Sequence, residues 1–111
     1  MDTILHICRA DHWREAQKLG EYRADSLATE GFIHCSTLEQ VARTANHFYS
    51  GQTDLVLLVI DAGRVSAELR YETSDGDLFP HLYGPLDLDA VAEARPFAPA
   101  ADSKFEQPKP N

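Results

Sequence analysis

The sequence predicts a single α+β domain. Its 111 residues are enough for one modest hydrophobic core and too few for two. Segments of strand and helix character follow one another in the order βααβαβββ, with one further strand near the end. This order lacks the regular alternation of a βαβ fold. Hydrophobic residues make up 43% of the chain and charged residues 25%, as in ordinary globular proteins.

The first segments predict a strand, a helix and a helical turn. Residues 3–8, TILHIC, combine β-branched and apolar residues as strands do. Asp11 then stands at an N-cap position, and helix formers follow it as far as Gly20. SLATEG, at residues 26–31, predicts one more helical turn that ends at its glycine.

A second strand and a further helix come next. FIHC, at residues 32–35, is the predicted strand. Ser36 and Glu39 match the capping box S-x-x-E, so a helix of about three turns is predicted to begin there and to end at Gly51. Its apolar stripe has four members at helical spacing: Val41, Ala42, Ala45 and Phe48.

Strands dominate the second half of the chain. DLVLLVID, at 54–61, is almost wholly apolar and predicts a central strand buried on both faces. ELRYE, at 68–72, alternates like a half-exposed strand, and TSDGD, at 73–77, predicts an acidic loop. FPHLYGPL, at 79–86, suits a short strand or extended segment, and VAEARPF, at 91–97, suits a last strand or a helix.

We expect one domain over residues 1–97 and a Pro-rich, disordered tail over residues 98–111. The first residues lack the basic stretch of a signal peptide, and the longest apolar run, LVLLVI, has the length of a strand. These features predict a cytoplasmic protein without a membrane segment. Its two cysteines, Cys8 and Cys35, are then expected to be thiols.

The charge balance bears on possible partners. The chain carries 18 acidic and 10 basic side chains, a net charge of −8. Binding of extended nucleic acid needs clustered lysine and arginine, so the composition argues against it. A small nucleotide, which one or two arginines can hold, remains compatible with it.

Two of the predicted strands carry a histidine, His6 and His34. Because side chains alternate across a strand, each histidine faces away from the apolar residues beside it, and both can line one cleft if the strands share a sheet. The helix expected to begin near Thr37 would offer free backbone N–H groups, which favour an anion. The pattern is compatible with a nucleotide pocket.

Other roles for these residues remain open. A strand histidine is often only a hydrogen-bonded part of the structure. His6 and Cys8 with His34 or His81 could form a zinc set, but the chain has no spaced pair of metal ligands, so we expect no metal. A nucleophile pair of Cys35 and His34 is disfavoured, because adjacent strand residues face opposite ways.

Three stretches together resemble a known family: ILHI, EGFIHCST followed by Gln40, and FPHLYGPL. They are similar to the signature of a small bacterial family, Domain of Unknown Function 952, over roughly residues 3–97. That family has been grouped with the ADP-ribosyltransferase fold, a compact split β-sheet that holds NAD in a cleft between its halves. The resemblance points to the branch that contains the RNA 2′-phosphotransferases and implies NAD as cofactor.

The resemblance also implies roles for individual residues. His6 would hold the ribose on the nicotinamide side, and His34 with Ser36 or Thr37 would hold the ribose or the nicotinamide amide. At the edge of the cleft would lie His81 and Tyr83. The implied chemistry, loss of nicotinamide, depends on positioning and electrostatic stabilisation more than on a strong base.

Mono-ADP-ribosylating enzymes use a glutamate on a later strand, and Glu72, at the end of ELRYE, is the one tempting candidate here. Its alternative role is that of an exposed acid at a strand end. For a diphosphate, the nearest cations in sequence are Arg9 and Arg43. The chain is smaller and more acidic than the RNA 2′-phosphotransferases, which argues against an RNA acceptor.

Two functions follow from the resemblance. The first is a domain that binds NAD or a related nucleotide, with ADP-ribose transfer as a candidate activity and His6, His34 and Glu72 as candidate catalytic residues. The second is a non-catalytic module that binds a nucleotide or a partner on the same scaffold. The uncertain position of the glutamate favours the second. The sequence identifies no protein acceptor.

Overall fold

The computed structural model describes residues 2–109. Within that range the chain forms three α-helices and eight β-strands, and all strand pairings are antiparallel, which confirms an α+β fold. No helix in this range is long and apolar enough to cross a membrane. The elements are β1 (Thr3–Arg9), α1 (Ala10–Leu19), β2 (Glu21–Tyr22), α2 (Asp25–Thr29), β3 (Ile33–His34), α3 (Val41–Phe48), β4 (Leu55–Asp61), β5 (Glu68–Ser74), β6 (Asp77–Tyr83), β7 (Leu86–Asp87) and β8 (Val91–Phe97).

The strands form two three-stranded sheets and a small two-stranded one. The first sheet has the order β1–β4–β8 and the second β3–β6–β5, while β2 pairs with β7. Leu5 and Ser36 join the two larger sheets by two backbone hydrogen bonds of 2.8 Å. Both partners lie at sheet edges, because β1 is an edge strand and Ser36 closely follows the edge strand β3.

The first sheet is the middle layer of the molecule. On one face, Leu58 belongs to a core that also contains Leu82 of the second sheet. On the other face, Leu57 packs in a separate core with Val41 of α3. The apolar strand β4 is therefore buried on both faces, as its sequence predicts.

The second sheet contains a tight hairpin between β5 and β6. Asp75 and Gly76 form its two-residue turn, and both have positive φ, 51° and 78°, as a type I′ turn requires. The acidic loop predicted at 73–77 is thus wrong at its ends, where residues extend the two strands. The turn fixes the register and places Glu72 opposite Phe79.

Helix α3 begins later than the sequence indicated. It starts at Val41, and the backbone of Ser36 is instead part of the bridge between the sheets. Gln40 Oε1 accepts a hydrogen bond from Thr37 N at 3.0 Å. The predicted capping box of Ser36 and Glu39 is therefore wrong, and the Thr37 N–H expected to be free for an anion is already bonded.

The segment after β8 returns to the domain, in contrast to the disordered tail expected over residues 98–111. Phe105 is 3% exposed, and its ring centroid lies 5.0 Å from that of Phe97. The side-chain amide of Asn46 donates to Phe105 O at 3.0 Å and accepts from Phe105 N at 2.8 Å. Residues 110–111 lie outside the described range.

Candidate functional site

A cavity of about 590 Å³, here called the cleft, lies where the two larger sheets meet. Its walls come from β1, β3, the β5–β6 hairpin, the end of α3 and the segment around Tyr22. The bridge residues Leu5 and Ser36 both line it. The volume falls within the range of about 300–1,000 Å³ that is usual for small-molecule sites.

Four of the chain's five histidines line the cleft: His6, His12, His34 and His81. His6 and His34 do face one cavity, although their strands belong to different sheets. His81 lies directly opposite His34 in the β3–β6 pairing. Sequence reasoning did not select His12, because it stands alone in the first turn of α1 and no spacing connects it with the others.

His6 is buried, and both of its ring nitrogens are engaged. Its Nδ1 faces the backbone carbonyl of His34, which can only accept, so the hydrogen of the neutral ring lies on Nδ1. Its Nε2 accepts from the Tyr22 hydroxyl at 2.8 Å. Burial lowers the pKa of His6 to about 4, which keeps the ring neutral near pH 7. His6 therefore connects β1 to β2 and β3.

His34 and His81 have different surroundings. His34 is half-exposed, and its Nε2 lies 3.0 Å from an oxygen of Glu30. His81 is 5% exposed and stacks on Phe32, with ring centroids 4.1 Å apart and planes 20° apart. Its Nδ1 lies 2.8 Å from Glu72 Oε1. Its Nε2 is buried and has no hydrogen-bond partner within residues 2–109.

Glu72 lies on the same face of the second sheet as His81 and Tyr83. Its Oε1 accepts a hydrogen bond from the Tyr83 hydroxyl at 2.6 Å and another from His81. The hydrogen bond from Tyr83 is the largest cause of a lowered pKa of the Glu72 carboxyl, and the hydrogen bond from His81 is the second. Glu72 and Tyr83 are not among the described residues that line the cleft. Glu72 is connected to the cleft by its hydrogen bond with His81, which does line it.

The other predicted ligand contacts are divided. Ser36 is buried and lines the cleft. Thr37 and Arg43 lie outside the lining, and Arg43 pairs with Asp77 at 3.2 Å on the surface. Arg9 lines the cleft and is the one lysine or arginine among the described lining residues. A diphosphate in the cleft would therefore meet Arg9, whereas Arg43 is held elsewhere.

The zinc and nucleophile alternatives find no matching geometry. Within residues 2–109, no group of three or more His, Cys, Asp or Glu side chains is arranged to hold a metal ion. Both ring nitrogens of His6 are already hydrogen-bonded. Burial raises the pKa of Cys8 and that of Cys35 to about 12, so both are protonated thiols with little nucleophilic character near pH 7.

Comparison with known proteins assigns the chain to a family. Residues 7–94 match the family described as Protein of unknown function (DUF952). The crystal structure of protein CC0527 from Caulobacter crescentus is 33% identical, with 95% of this chain and 94% of that chain covered and a TM-score of 0.86. The solution NMR structure of CC0527 aligns over 96% and 93% with a TM-score of 0.82. No curated protein matches the chain. The chain therefore belongs to the DUF952 family of proteins of unknown function.

Proposed function

We propose that the cleft binds NAD or a related nucleotide. The observation that carries this proposal is the convergence of four histidines on one cavity of suitable size. Neutral imidazole nitrogens form hydrogen bonds with ribose hydroxyls and with a carboxamide. Both nitrogens of His6 are bonded within the protein, so His12, His34 and His81 would make these contacts. Aromatic side chains of the lining, Phe48, Tyr49 and Phe79, add surfaces on which a planar base can stack. The sequence motifs, through the family grouping that they imply with the ADP-ribosyltransferase fold, point to the same ligand.

The lining also has one group suited to a diphosphate. Arg9 forms an exposed ion pair with Asp11 at 2.8 Å. Exposed ion pairs contribute little to stability, so Arg9 can exchange this partner for a phosphate oxygen at small cost. The acids Asp25 and Asp75 also line the cleft and would repel a second anionic group. These residues favour a ligand with a single diphosphate over a polyphosphate or a nucleic acid.

Two activities are compatible with this binding site. The first is transfer of ADP-ribose, because bound NAD would supply a ribose carbon from which nicotinamide can leave. A non-catalytic nucleotide-binding module is the second, and the position of Glu72 outside the cleft lining favours it. A glutamate that orients an acceptor has to contact the ligand or the reacting atoms.

Calorimetric titration of NAD, ADP-ribose and nicotinamide into the protein tests the proposal. We expect saturable binding of NAD or ADP-ribose, weakened about tenfold in His34→Ala, which removes a hydrogen bond at the cleft wall. His47→Ala is the matched control, since His47 is the histidine that does not line the cleft. Release of nicotinamide from NAD separates transfer from simple binding. Absence of heat with every ligand, from folded protein, would refute the proposed function.

A further inference from the structure

The His81 ring is fixed in two independent ways. Stacking on Phe32, with planes 20° apart, sets the plane of the ring. The contact of Nδ1 with Glu72 sets the rotation of the ring within that plane. Glu72 is itself held by the Tyr83 hydroxyl at 2.6 Å. The direction of the remaining ring nitrogen, Nε2, is therefore determined before any ligand arrives.

Glu72 also determines which nitrogen of His81 carries the hydrogen. An ionised carboxylate can only accept hydrogen bonds, so the hydrogen of the neutral ring lies on Nδ1. Nε2 then presents a lone pair. Tyr83 occupies the same carboxylate oxygen with its own hydrogen, which supports the ionised state of Glu72.

Nε2 is the unsatisfied atom in this arrangement. It is buried without a partner among the residues described, while its residue lines the cleft. Because Nδ1 faces Glu72, which lies outside the lining, Nε2 lies on the side of the ring away from that carboxylate. Buried polar atoms are nearly always hydrogen-bonded in folded proteins, and exceptions are found at functional sites. His6 offers no such atom, since both of its nitrogens are bonded.

We propose, on the basis of the nucleotide cleft above, that His81 Nε2 accepts a hydrogen bond from an N–H or O–H group of the ligand, with Glu72 as the positioning residue. The donor is either the carboxamide of the nicotinamide or a ribose hydroxyl. A group that can only accept, such as a carboxylate, is rejected at this position. The cleft thereby distinguishes a nicotinamide from a nicotinate if the carboxamide is the donor.

The first test is independent of any ligand. The ¹⁵N chemical shifts of the His81 ring near pH 7 report which nitrogen carries the hydrogen. We expect Nδ1–H with a bare Nε2 in the native protein and a shift toward Nε2–H in Glu72→Ala. Glu68→Ala is the matched control, because Glu68 is an exposed acid on the same face of β5. A native ring that carries its hydrogen on Nε2, or one unchanged in Glu72→Ala, overturns the inference.

The second test uses ligands. His81→Phe keeps a ring that can stack on Phe32 and removes both nitrogens, and we expect about tenfold weaker binding of the nucleotide. Weaker binding of the nicotinate analogue of NAD identifies the carboxamide as the donor. A different result identifies a ribose hydroxyl as the donor: ADP-ribose and the nicotinate analogue both bind as well as NAD, and both bind more weakly to His81→Phe.

The two proposals fail separately. Unchanged affinity in folded His81→Phe overturns the acceptor role and leaves the nucleotide site in place. If no nucleotide binds but the His81 ring has the expected tautomer, the proposed nucleotide ligand is refuted. The same result supports His81 Nε2 as a hydrogen-bond acceptor that Glu72 positions in the cleft. If His81→Phe does not fold, the affinity of Glu72→Ala replaces it: an unchanged value overturns the positioning role.

Discussion

His6 makes the stability of the fold depend on pH in a range where carboxyl groups contribute little. Burial lowers its pKa from 6.5 to about 4. The unfolded chain therefore takes up a proton at this residue at a higher pH than the folded protein does. As the pH falls below 6.5, protonation favours the unfolded state, so the free energy of unfolding decreases until the pH reaches the folded pKa.

The size of the effect follows from the shift. Each pKa unit corresponds to about 1.4 kcal/mol, so the full effect is about 3 kcal/mol, complete below about pH 4. Between about pH 7 and pH 5 the expected loss from His6 alone is about 2 kcal/mol. The carboxyl groups of Asp11 and Asp77, whose pKa values are lowered by their partners, titrate below this window.

The assay is urea denaturation of the native protein and of His6→Asn at the two pH values. The Asn amide can donate to the His34 carbonyl in place of Nδ1–H but does not titrate. We expect the native protein to lose about 2 kcal/mol more than His6→Asn over the interval. His47→Asn, at an exposed position, should follow the native protein. The same pH dependence in native protein and His6→Asn would show that His6 is not held neutral by burial.

Three further substitutions test the fold by the same denaturation assay. Phe105→Ala should lower the free energy of unfolding by about 3 kcal/mol, because it empties a buried aromatic site, whereas Leu19→Ala, at a side chain that is 74% exposed, should change it little. Gln40→Leu should lower the free energy of unfolding by about 2 kcal/mol, because it leaves the Thr37 N–H and the Leu78 C=O unpaired. Glu39→Leu should change it little, and an equal loss in Glu39→Leu would support the capping box of Ser36 and Glu39. Gly76→Ala should cost about 1 kcal/mol at its positive φ, and no loss would mean that the turn adopts another type.

Side-chain alternation was predictable from the sequence because it is a local property of strands. His6 shares its face of β1 with Ile4 and Cys8, and these two pack in the core beneath the second sheet. Leu5 and Ile7, predicted on the opposite face, pack in the core that contains α3. Alternation does not predict the sheet to which each strand belongs, because strand pairing is decided by contacts between residues far apart in the chain.

The contact of Glu72 with His81 could have been predicted from one further signal. The Asp75–Gly76 dipeptide is typical of a type I′ hairpin turn, and such a turn fixes the register of the strands on either side. Counting outward from the turn places Glu72 opposite Phe79, two residues from His81 and on the same face. The acidic composition of the segment suggested a loop and concealed this register.

Tertiary contacts explain two further differences between the structure and the expectations from sequence. Ser36 has a sequence typical of a helix cap, yet its backbone completes the bridge to Leu5. Helix α3 therefore begins only at Val41, and the Thr37 N–H donates to the Gln40 side chain before it. The residues after β8 have the composition of a disordered tail, yet a single aromatic residue, Phe105, finds a buried site. Leu5 is far from Ser36 in the chain, and Asn46 lies 59 residues from Phe105, so local patterns carried no information about these contacts.

The hydrogen bonds of the ring nitrogens divide the cleft histidines by role. His6 has both nitrogens bonded within the protein, so removing it perturbs three strands before it affects a ligand. His34 has a half-exposed contact with Glu30 that a ligand can replace at small cost. His81 has one nitrogen fixed by Glu72 and one buried and unbonded within the described chain. A ligand that donates a hydrogen bond to His81 Nε2 satisfies an atom that the described residues leave without a partner. The loss of ligand affinity on substitution is therefore expected to report a direct contact at His81 and not at His6.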